Sequence, residues 1–254
     1  MAITIKSERE IELMAEAGKI LERVHNELEK ALRPGMSTKD IDTLGEEIIR
    51  SYGCIPSFLN YNGYPASICV SVNQEVVHGI PDKHRIIQEG DIVSLDAGVI
   101  YKGYHSDAAR THAVGEVSEE AKKLIQVTKE SFFEGIKFAK AGNHLFDISG
   151  AIGRYAEERG YGVVRDLCGH GIGTALHEAP EIPNYEVGRK GVRLRPGMTL
   201  AIEPMINIGT PEVDWLDDDW TVVTRDGSLS AHYENTILIT EGEPRILSLT
   251  CENE

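Results

Sequence analysis

A repeat at a spacing of 107 residues constrains this chain more than any other feature of its sequence. Gly35, Asp40, Ile41 and Gly53 return as Gly142, Asp147, Ile148 and Gly160, each set framing a segment of helix length. At the same spacing, Gly90-Asp91-Ile92-Val93-Ser94-Leu95-Asp96 meets Gly197-Met198-Thr199-Leu200-Ala201-Ile202-Glu203, placing an acid at the same point of a strand-like run in each block. Two blocks that share one spacing predict a single α+β domain over residues 1–254, built from two similar halves, roughly 7–115 and 116–240.

Local patterns fill in the halves. Ser7 and Glu10 form a capping box, and Met14, Ala17, Leu21, Val24 and Leu28 follow at helical spacing until Pro34-Gly35. A second helix is expected from about Ser37, with Ile41, Leu44 and Ile48 on one face and Gly53 as its stop. Strands are predicted over 67–72, 91–100 and 104–114, the last two joined by a turn at Lys102-Gly103. Helices are expected again from Ser118 and over about 144–159, and strands near 198–208, 221–224 and 231–240.

Alternation sets Val93, Leu95, Ala97 and Val99 on one face of the first long strand and Asp96 on the other. The same pattern sets Leu200 and Ile202 against Glu203, while Asp107 and Glu234 fall in the strands that return from those two. Each acid alone reads as an ordinary solvated residue. Taken as pairs from two halves, they converge, and four ionised carboxylates in a sheet interior would cost several kcal/mol each unless a cation compensates. Arg110 is the only basic residue near them in the strands, so divalent metal is the better account.

Cys168-Gly169-His170-Gly171-Ile172-Gly173 adds a histidine between glycines, with His177 seven residues on. The glycines suit a backbone that passes close to a site. They do not fit a phosphate loop, which needs wider glycine spacing and a lysine-threonine ending. Cys168 reads as a buried, inert thiol rather than a nucleophile. Cys54, Cys69, Cys168 and Cys251 form no C-x-x-C pair and are expected as reduced thiols.

These residues resemble the methionine aminopeptidases, type I, of the pita-bread fold. The resemblance runs from Ile5-Lys6-Ser7-Glu8-Arg9-Glu10-Ile11 through Tyr61-Asn62-Gly63-Tyr64-Pro65, Val77-His78-Gly79-Ile80-Pro81 and Gly90-Asp91-Ile92-Val93. It continues through Gly169–Gly173 and Ile202-Glu203-Pro204-Met205 to Tyr233-Glu234-Asn235-Thr236. It implies two pseudo-symmetric halves with a central antiparallel sheet covered by helices. It also implies two divalent ions (cobalt, manganese, iron or zinc), with Asp107 and Glu234 bridging them, Asp96 holding one, and His170 with Glu203 holding the other. Glu203 would also shuttle a proton, with His177 near the scissile carbonyl and His78 near the amide at the cleavage point.

The resemblance assigns Phe58, Tyr61, Tyr64, Cys69, Leu176 and Trp220 to an apolar slot for a methionine side chain, against the plain alternative that each aromatic is core. The substrates implied are N-terminal Met-peptides and nascent chains with a small second residue. The chain looks like the minimal bacterial form, without the N-terminal domain of prolidases, the insert of type II enzymes or a zinc-binding extension. It departs from the commonest pattern at Ala97-Gly98 after Asp96 and at Leu176, where some members carry an aromatic residue. Two other readings stay open: a prolidase-like Xaa-Pro peptidase, and a non-catalytic pita-bread peptide-binding protein.

Composition bounds the partners. With 41 acidic against 26 basic residues, the formal charge of −15 argues against DNA binding. The run Arg189-Lys190-Gly191-Val192-Arg193-Leu194-Arg195 reads as a solvated loop, with the ribosome as the alternative that the resemblance leaves open, and Asp217-Asp218-Asp219 reads as a solvated turn. The sequence has no apolar run of membrane-spanning length and no signal-peptide pattern at Met1-Ala2-Ile3-Thr4-Ile5-Lys6, so a cytoplasmic monomer is expected.

Overall fold

The computed structural model describes residues 3–249; Cys251 lies outside the described residues. In chain order the first half contains α1 (Glu8–Ala31), α2 (Thr38–Ser51), β1 (Ile55–Pro56), β2 (Ile68–Val72), β3 (Glu75–Val77), β4 (Ile92–Tyr101) and β5 (Tyr104–Ala113). The second contains α3 (Glu119–Ile136), α4 (Leu145–Glu157), β6 (Gly162–Val163), β7 (Gly169–Gly171), β8 (Glu178–Ile182), β9 (Thr199–Ile202) and β10 (Met205–Asn207). It closes with β11 (Val213–Trp215), β12 (Val222–Thr224), β13 (Ser230–His232), β14 (Asn235–Leu238) and β15 (Arg245–Ile246).

The repeat is structural. Ser37 and Asp40 form a capping box on α2, and Asp147 closes the N-terminus of α4 back onto the His144 backbone at the matching place. Ser37 bridges to Ile86, and His144 to Arg193, again at that spacing. β4 pairs with β5 and β2, and β9 pairs with β14 and β7, every pair antiparallel. One core lies under α1 and α2, formed by residues such as Leu21, Val24, Ile41, Val70, Leu95 and Val99. Another lies under α3 and α4, with Phe132, Ile148, Ile152, Leu200, Ile202 and Ile237. Each of these side chains contributes about 1.5–3 kcal/mol through its burial. The aliphatic face of β4 is therefore spent on the core, and Asp96 is left on the opposite face, as the alternation predicts.

The halves meet where β5 and β14 run side by side. Glu234 N–H donates to Ala109 O at 3.0 Å and Ala109 N–H donates to Glu234 O at 3.4 Å. Asp107 N–H is bound by Thr236 Oγ1 at 2.9 Å. The central layer thus consists of a four-stranded and a five-stranded antiparallel sheet adjoining at this seam.

Two expected strands are interrupted. Residues 198–208 divide into β9 and β10 around Glu203-Pro204, and 231–240 divide into β13 and β14 around Tyr233-Glu234. Proline has no N–H to continue a ladder, and after each break the chain passes between the five-stranded sheet and the one formed by β13, β10 and β6. Glu203 and Glu234 therefore sit at transitions between sheets, whereas Asp96 and Asp107 lie inside continuous strands. At Lys102 (φ 49°) and Gly103 (φ 86°) the chain turns tightly with two left-handed residues, the geometry that matches strand twist in a two-residue hairpin.

The basic run at 189–195 is more than a solvated loop. Its carbonyls bind the N-terminal amides of α4 and the turn before it: Val192 O takes Leu145 N–H, Lys190 O takes Phe146 N–H and Leu194 O takes Gly142 N–H.

Candidate metal centre and substrate cleft

A cavity between the halves brings together Asp96, Asp107, His170, Glu203 and Glu234. Asp107 lies opposite Gly98 on β4, and Asp96 opposite Ala109 on β5. His170 is held in β7 because both neighbours are glycine. A Cβ on Gly169 would lie 2.4 Å from Ala201 O of β9, and one on Gly171 would lie 2.2 Å from Ala179 O of β8. The ring is oriented by Nδ1–H donating to Gly171 O at 2.8 Å. Its Nε2 then stands 3.6 Å from Glu203 Oε1 and 3.9 Å from Asp107 Oδ2. The Glu203 backbone is tied down by Asn184, whose Nδ2 donates to Glu203 O at 3.1 Å.

Among the described residues no Lys or Arg side chain bonds to the carboxylates of these acids, which are buried. Asp96 Oδ1, Asp107 Oδ1 and Glu234 Oε1 have no hydrogen-bond partner. Arg110, the one basic candidate from the sequence, spends its donors on Ala109 O, Glu234 O and Asn235 Oδ1, and its guanidinium stacks 4.6 Å from the Tyr233 ring centre. Burial and then repulsion from neighbouring carboxylates hold Asp96, Glu203 and Glu234 well above the usual carboxylate range. Burial pushes Asp107 up to about 8. Burial also pushes His170 down to about 3, keeping the ring neutral with a lone pair for coordination.

Asp107, His170 and Glu234 each place one ligand atom within 4.8 Å of the others, close to twice the roughly 2.1 Å bond of a first-row divalent metal. Orphaned carboxylate oxygens, a neutral imidazole and the lack of a competing cation among the described residues fit divalent metal. Asp96 and Glu203 border the same space.

The remaining cavity wall contains every residue expected from the sequence. Phe58, Tyr61, Tyr64, Cys69, His78, Leu176, His177 and Trp220 all line it. The plain alternative holds too, since Phe58, Tyr64, Cys69 and Leu176 belong to a core cluster with Met14 and Leu247. The slot is one face of that core. Tyr64 donates to Gly79 O at 3.0 Å and meets Trp220 edge-on at 5.1 Å. Gly98 leaves room for the Phe58 ring, whose Cε1 would lie 3.0 Å from an added Cβ.

His177 packs edge-on to His170, ring centres 4.1 Å apart, and its Nδ1 lies 2.7 Å from Tyr61 OH. His78 faces Trp220 at 6.2 Å. Burial and then the neighbouring His177 push it down to about 4, so it is neutral at pH 7.

Several neighbours of the site have places that the sequence reading did not assign them. Asn62 lines the cleft beside Tyr61, in a left-handed turn (φ 50°). His232 is buried with both ring nitrogens unpartnered, Nε2 standing 3.9 Å from Glu203 Oε2; its place next to Tyr233-Glu234 was the available signal. The acidic run at 217–219 organises the approach of Trp220, because Asp218 Oδ1 accepts from Trp220 N–H at 2.9 Å and Thr221 N–H at 2.7 Å. Lys6 reaches Glu178 Oε2 at 2.6 Å and so pins the loop carrying Leu176 and His177. Cys168 is half-buried rather than buried. Burial, followed by Glu203 and Glu181, pushes its thiol up, which leaves it unsuited to act as a nucleophile.

The profile of metallopeptidase family M24 matches residues 12–241. This chain belongs to metallopeptidase family M24. Within that family it is 58% identical over 250 residues to a methionine aminopeptidase of Clostridium acetobutylicum, covering 98% of this chain and all of the relative. The crystal structure of the Thermotoga maritima methionine aminopeptidase superposes with a TM-score of 0.96 at 47% identity, over 98% of this chain and all of that one. An Xaa-Pro dipeptidase from Bacillus anthracis shares the fold at a TM-score of 0.77 and 28% identity, but this chain spans only 62% of it. The pita-bread architecture of M24 is therefore that of this protein, and its halves are the two sides of the candidate metal cleft.

Proposed function

We propose that this M24 metallopeptidase removes N-terminal methionine from peptides and nascent proteins whose second residue is small. The observation that carries the proposal is the joining, in one cavity, of the Asp107, His170 and Glu234 cluster to the apolar slot of Tyr64, Cys69, Leu176 and Trp220. A thioether side chain makes weak polar contacts and suits such a slot. The full-length identity to methionine aminopeptidases supports the same reading over a prolidase-like one.

Asp96, Asp107, His170, Glu203 and Glu234 would hold two divalent cations of the cobalt, manganese, iron or zinc class. Such ions, when bound, supply Lewis acidity that polarises a carbonyl and acidifies water. Glu203 Oε takes a proton from the attacking water and delivers it to the leaving amine. With Nδ1 held against Tyr61 OH, His177 turns its Nε2 edge to the cleft, and in the tautomer protonated there Nε2–H donates to the oxygen of the scissile carbonyl as charge develops. Neutral His78 offers one N–H to the peptide beyond the cleavage point.

One catalytic domain of two halves suffices for this chemistry, and nascent chains would be met in the cytoplasm by a monomer, with the 189–195 run available to the ribosome. Among the described residues no helix is long and apolar enough to cross a membrane.

The test uses chelator-stripped protein with Met-Gly-Met-Met and an Ala-Pro peptide, with and without manganese or cobalt, following free amino acids by mass spectrometry. Metal-dependent release of one methionine, with Ala-Pro intact, is the expected result. Cleavage of Ala-Pro alone would transfer the protein to the prolidases, and metal binding without cleavage would leave a peptide-binding protein.

A further inference from the structure

We propose that the segment ahead of α1 is a strut of the active site: Lys6, through its buried ion pair with Glu178, sets the position of His177 for catalysis. This rests on the reading of the chain as an N-terminal peptidase and adds two positioning residues, which act through His177.

The segment reverses the usual pattern of burial. Ile5 is 41% exposed, whereas the side chain of the neighbouring Lys6 is 4% exposed. The backbone fixes this choice. Lys6 N–H donates to Gly197 O at 2.8 Å, and Gly197 makes room for the strand above it, since an added Cβ would lie 2.7 Å from Ile5 Cγ2. At the matching turn of the first half, the nearest atom to a Cβ on Gly90 is Glu116 O at 3.7 Å, so the strut belongs to the second half alone. That is the half that carries His177.

Glu178 is where strut and loop meet. Its Oε2 accepts from Lys6 Nζ at 2.6 Å and from Thr4 Oγ1 at 2.7 Å, and Lys6 Nζ also donates to Thr4 Oγ1. Its Oε1 accepts from Ala175 N–H at 3.3 Å, so one carboxylate ties the N-terminal segment to the backbone two residues before His177. Gly173 admits the pair, because a Cβ there would lie 2.5 Å from Glu178 Oε1 and 2.6 Å from Lys6 Nζ. The start of the loop is held from the first half, where His105 N–H donates to Gly173 O at 2.8 Å.

Two features assign this tie to His177 rather than to stability. A buried ion pair holds a fold no better than a well-packed apolar pair of the same volume, so its use here calls for a reason of geometry. Within the loop, Leu176 is already held, buried in the cluster with Met14 and Phe58. His177 is exposed, so the place of its ring follows the loop backbone and the Tyr61 hydroxyl.

The test is a double-mutant cycle between Lys6 and His177 on the metal-loaded enzyme with Met-Gly-Met-Met. Lys6→Met, close in length but without charge, should lower kcat on the order of tenfold, with KM and metal content unchanged, and Lys6→Arg should keep most of the rate. In a His177→Ala background the same Lys6→Met change should cost nothing further. The double variant Lys6→Met/Glu178→Gln leaves no charge unpaired; it should show a smaller loss with the same dependence on His177, and serves if Lys6→Met alone does not fold. Hydrogen exchange of residues 173–177, faster in Lys6→Met, follows the loop without reference to activity. An equal loss of kcat with and without His177 would assign Lys6 to the fold or to the metal, overturning the strut and leaving the peptidase reading standing. Faster exchange in a protein that releases methionine from no peptide would do the reverse.

Discussion

Tyr61 and His177 lie 116 residues apart in sequence, yet the tyrosine hydroxyl stands 2.7 Å from His177 Nδ1. That contact holds the imidazole by its Nδ1 edge, and among the described residues the other ring against His177 is that of the candidate ligand His170. Tyr61→Phe keeps the ring but removes the hydroxyl. We expect kcat to fall on the order of tenfold, and His177→Ala to lower it by about 10²-fold or more, both with metal content unchanged by elemental analysis. Loss of metal in either variant would make His177 part of the metal shell and overturn its assignment to the carbonyl.

Glu203 is the acid asked to do two things, hold metal and move a proton. Glu203→Gln keeps shape and one oxygen donor but cannot accept the proton, so kcat should drop by about 10²–10⁴-fold. Glu234→Gln removes a ligand charge with no proton-moving role, so its loss should follow metal occupancy and be relieved by excess metal. If excess manganese or cobalt restored Glu203→Gln equally well, the proton-shuttle role would be lost.

Gly171 tests why the histidine motif is written with glycines. A Cβ there would lie 2.2 Å from Ala179 O, a backbone atom that cannot rotate aside, so β7 and β8 must separate. Gly171→Ala should cost about 1–3 kcal/mol, lowering Tm by several degrees, and should weaken metal binding because His170 moves with β7. Calorimetry and metal titration on the same preparation measure both. Unchanged values for the variant would mean that the strands yield freely and that the glycine serves another purpose.

The fold could be read from the sequence wherever local rules govern it. Ser7, Ser37 and Ser118 cap the helices that their spacing announces, and the repeat of Gly35 through Gly53 recurs as a matched pair of helices. The four acids of the site were also readable as a candidate set, because the repeat pairs acids that face away from aliphatic strand faces, whereas His170 was marked by its flanking glycines and joined to them by resemblance. What escaped depends on contacts distant in sequence. Lys6 meets Glu178 across 172 positions and His232 reaches Glu203 from another strand, and neither leaves a periodic trace. The interruptions at Glu203 and Tyr233-Glu234 escaped because alternation continues across them, while the change of partner sheet is a tertiary event.

Removing metal should change how stability depends on pH, and the sign follows from the groups themselves. Asp107 is pushed up to about 8 from an ordinary 3.8, with Asp96, Glu203 and Glu234 also raised. Between those limits the folded metal-free protein holds protons that the unfolded chain has released, so folding stability falls as pH rises from about 4 towards 8. The buried histidines act in the opposite direction. His170 (about 3) and His78 (about 4) stay neutral when folded but charge when unfolded, so their contribution is lost as pH falls below about 6.5. Metal takes the place of the protons and removes the alkaline loss, so the Tm difference between metal-loaded and chelator-stripped protein should widen from pH 5 to pH 8. Thermal unfolding at constant ionic strength measures it. A gap that stayed constant or narrowed would show that the four acids are not the groups that metal neutralises.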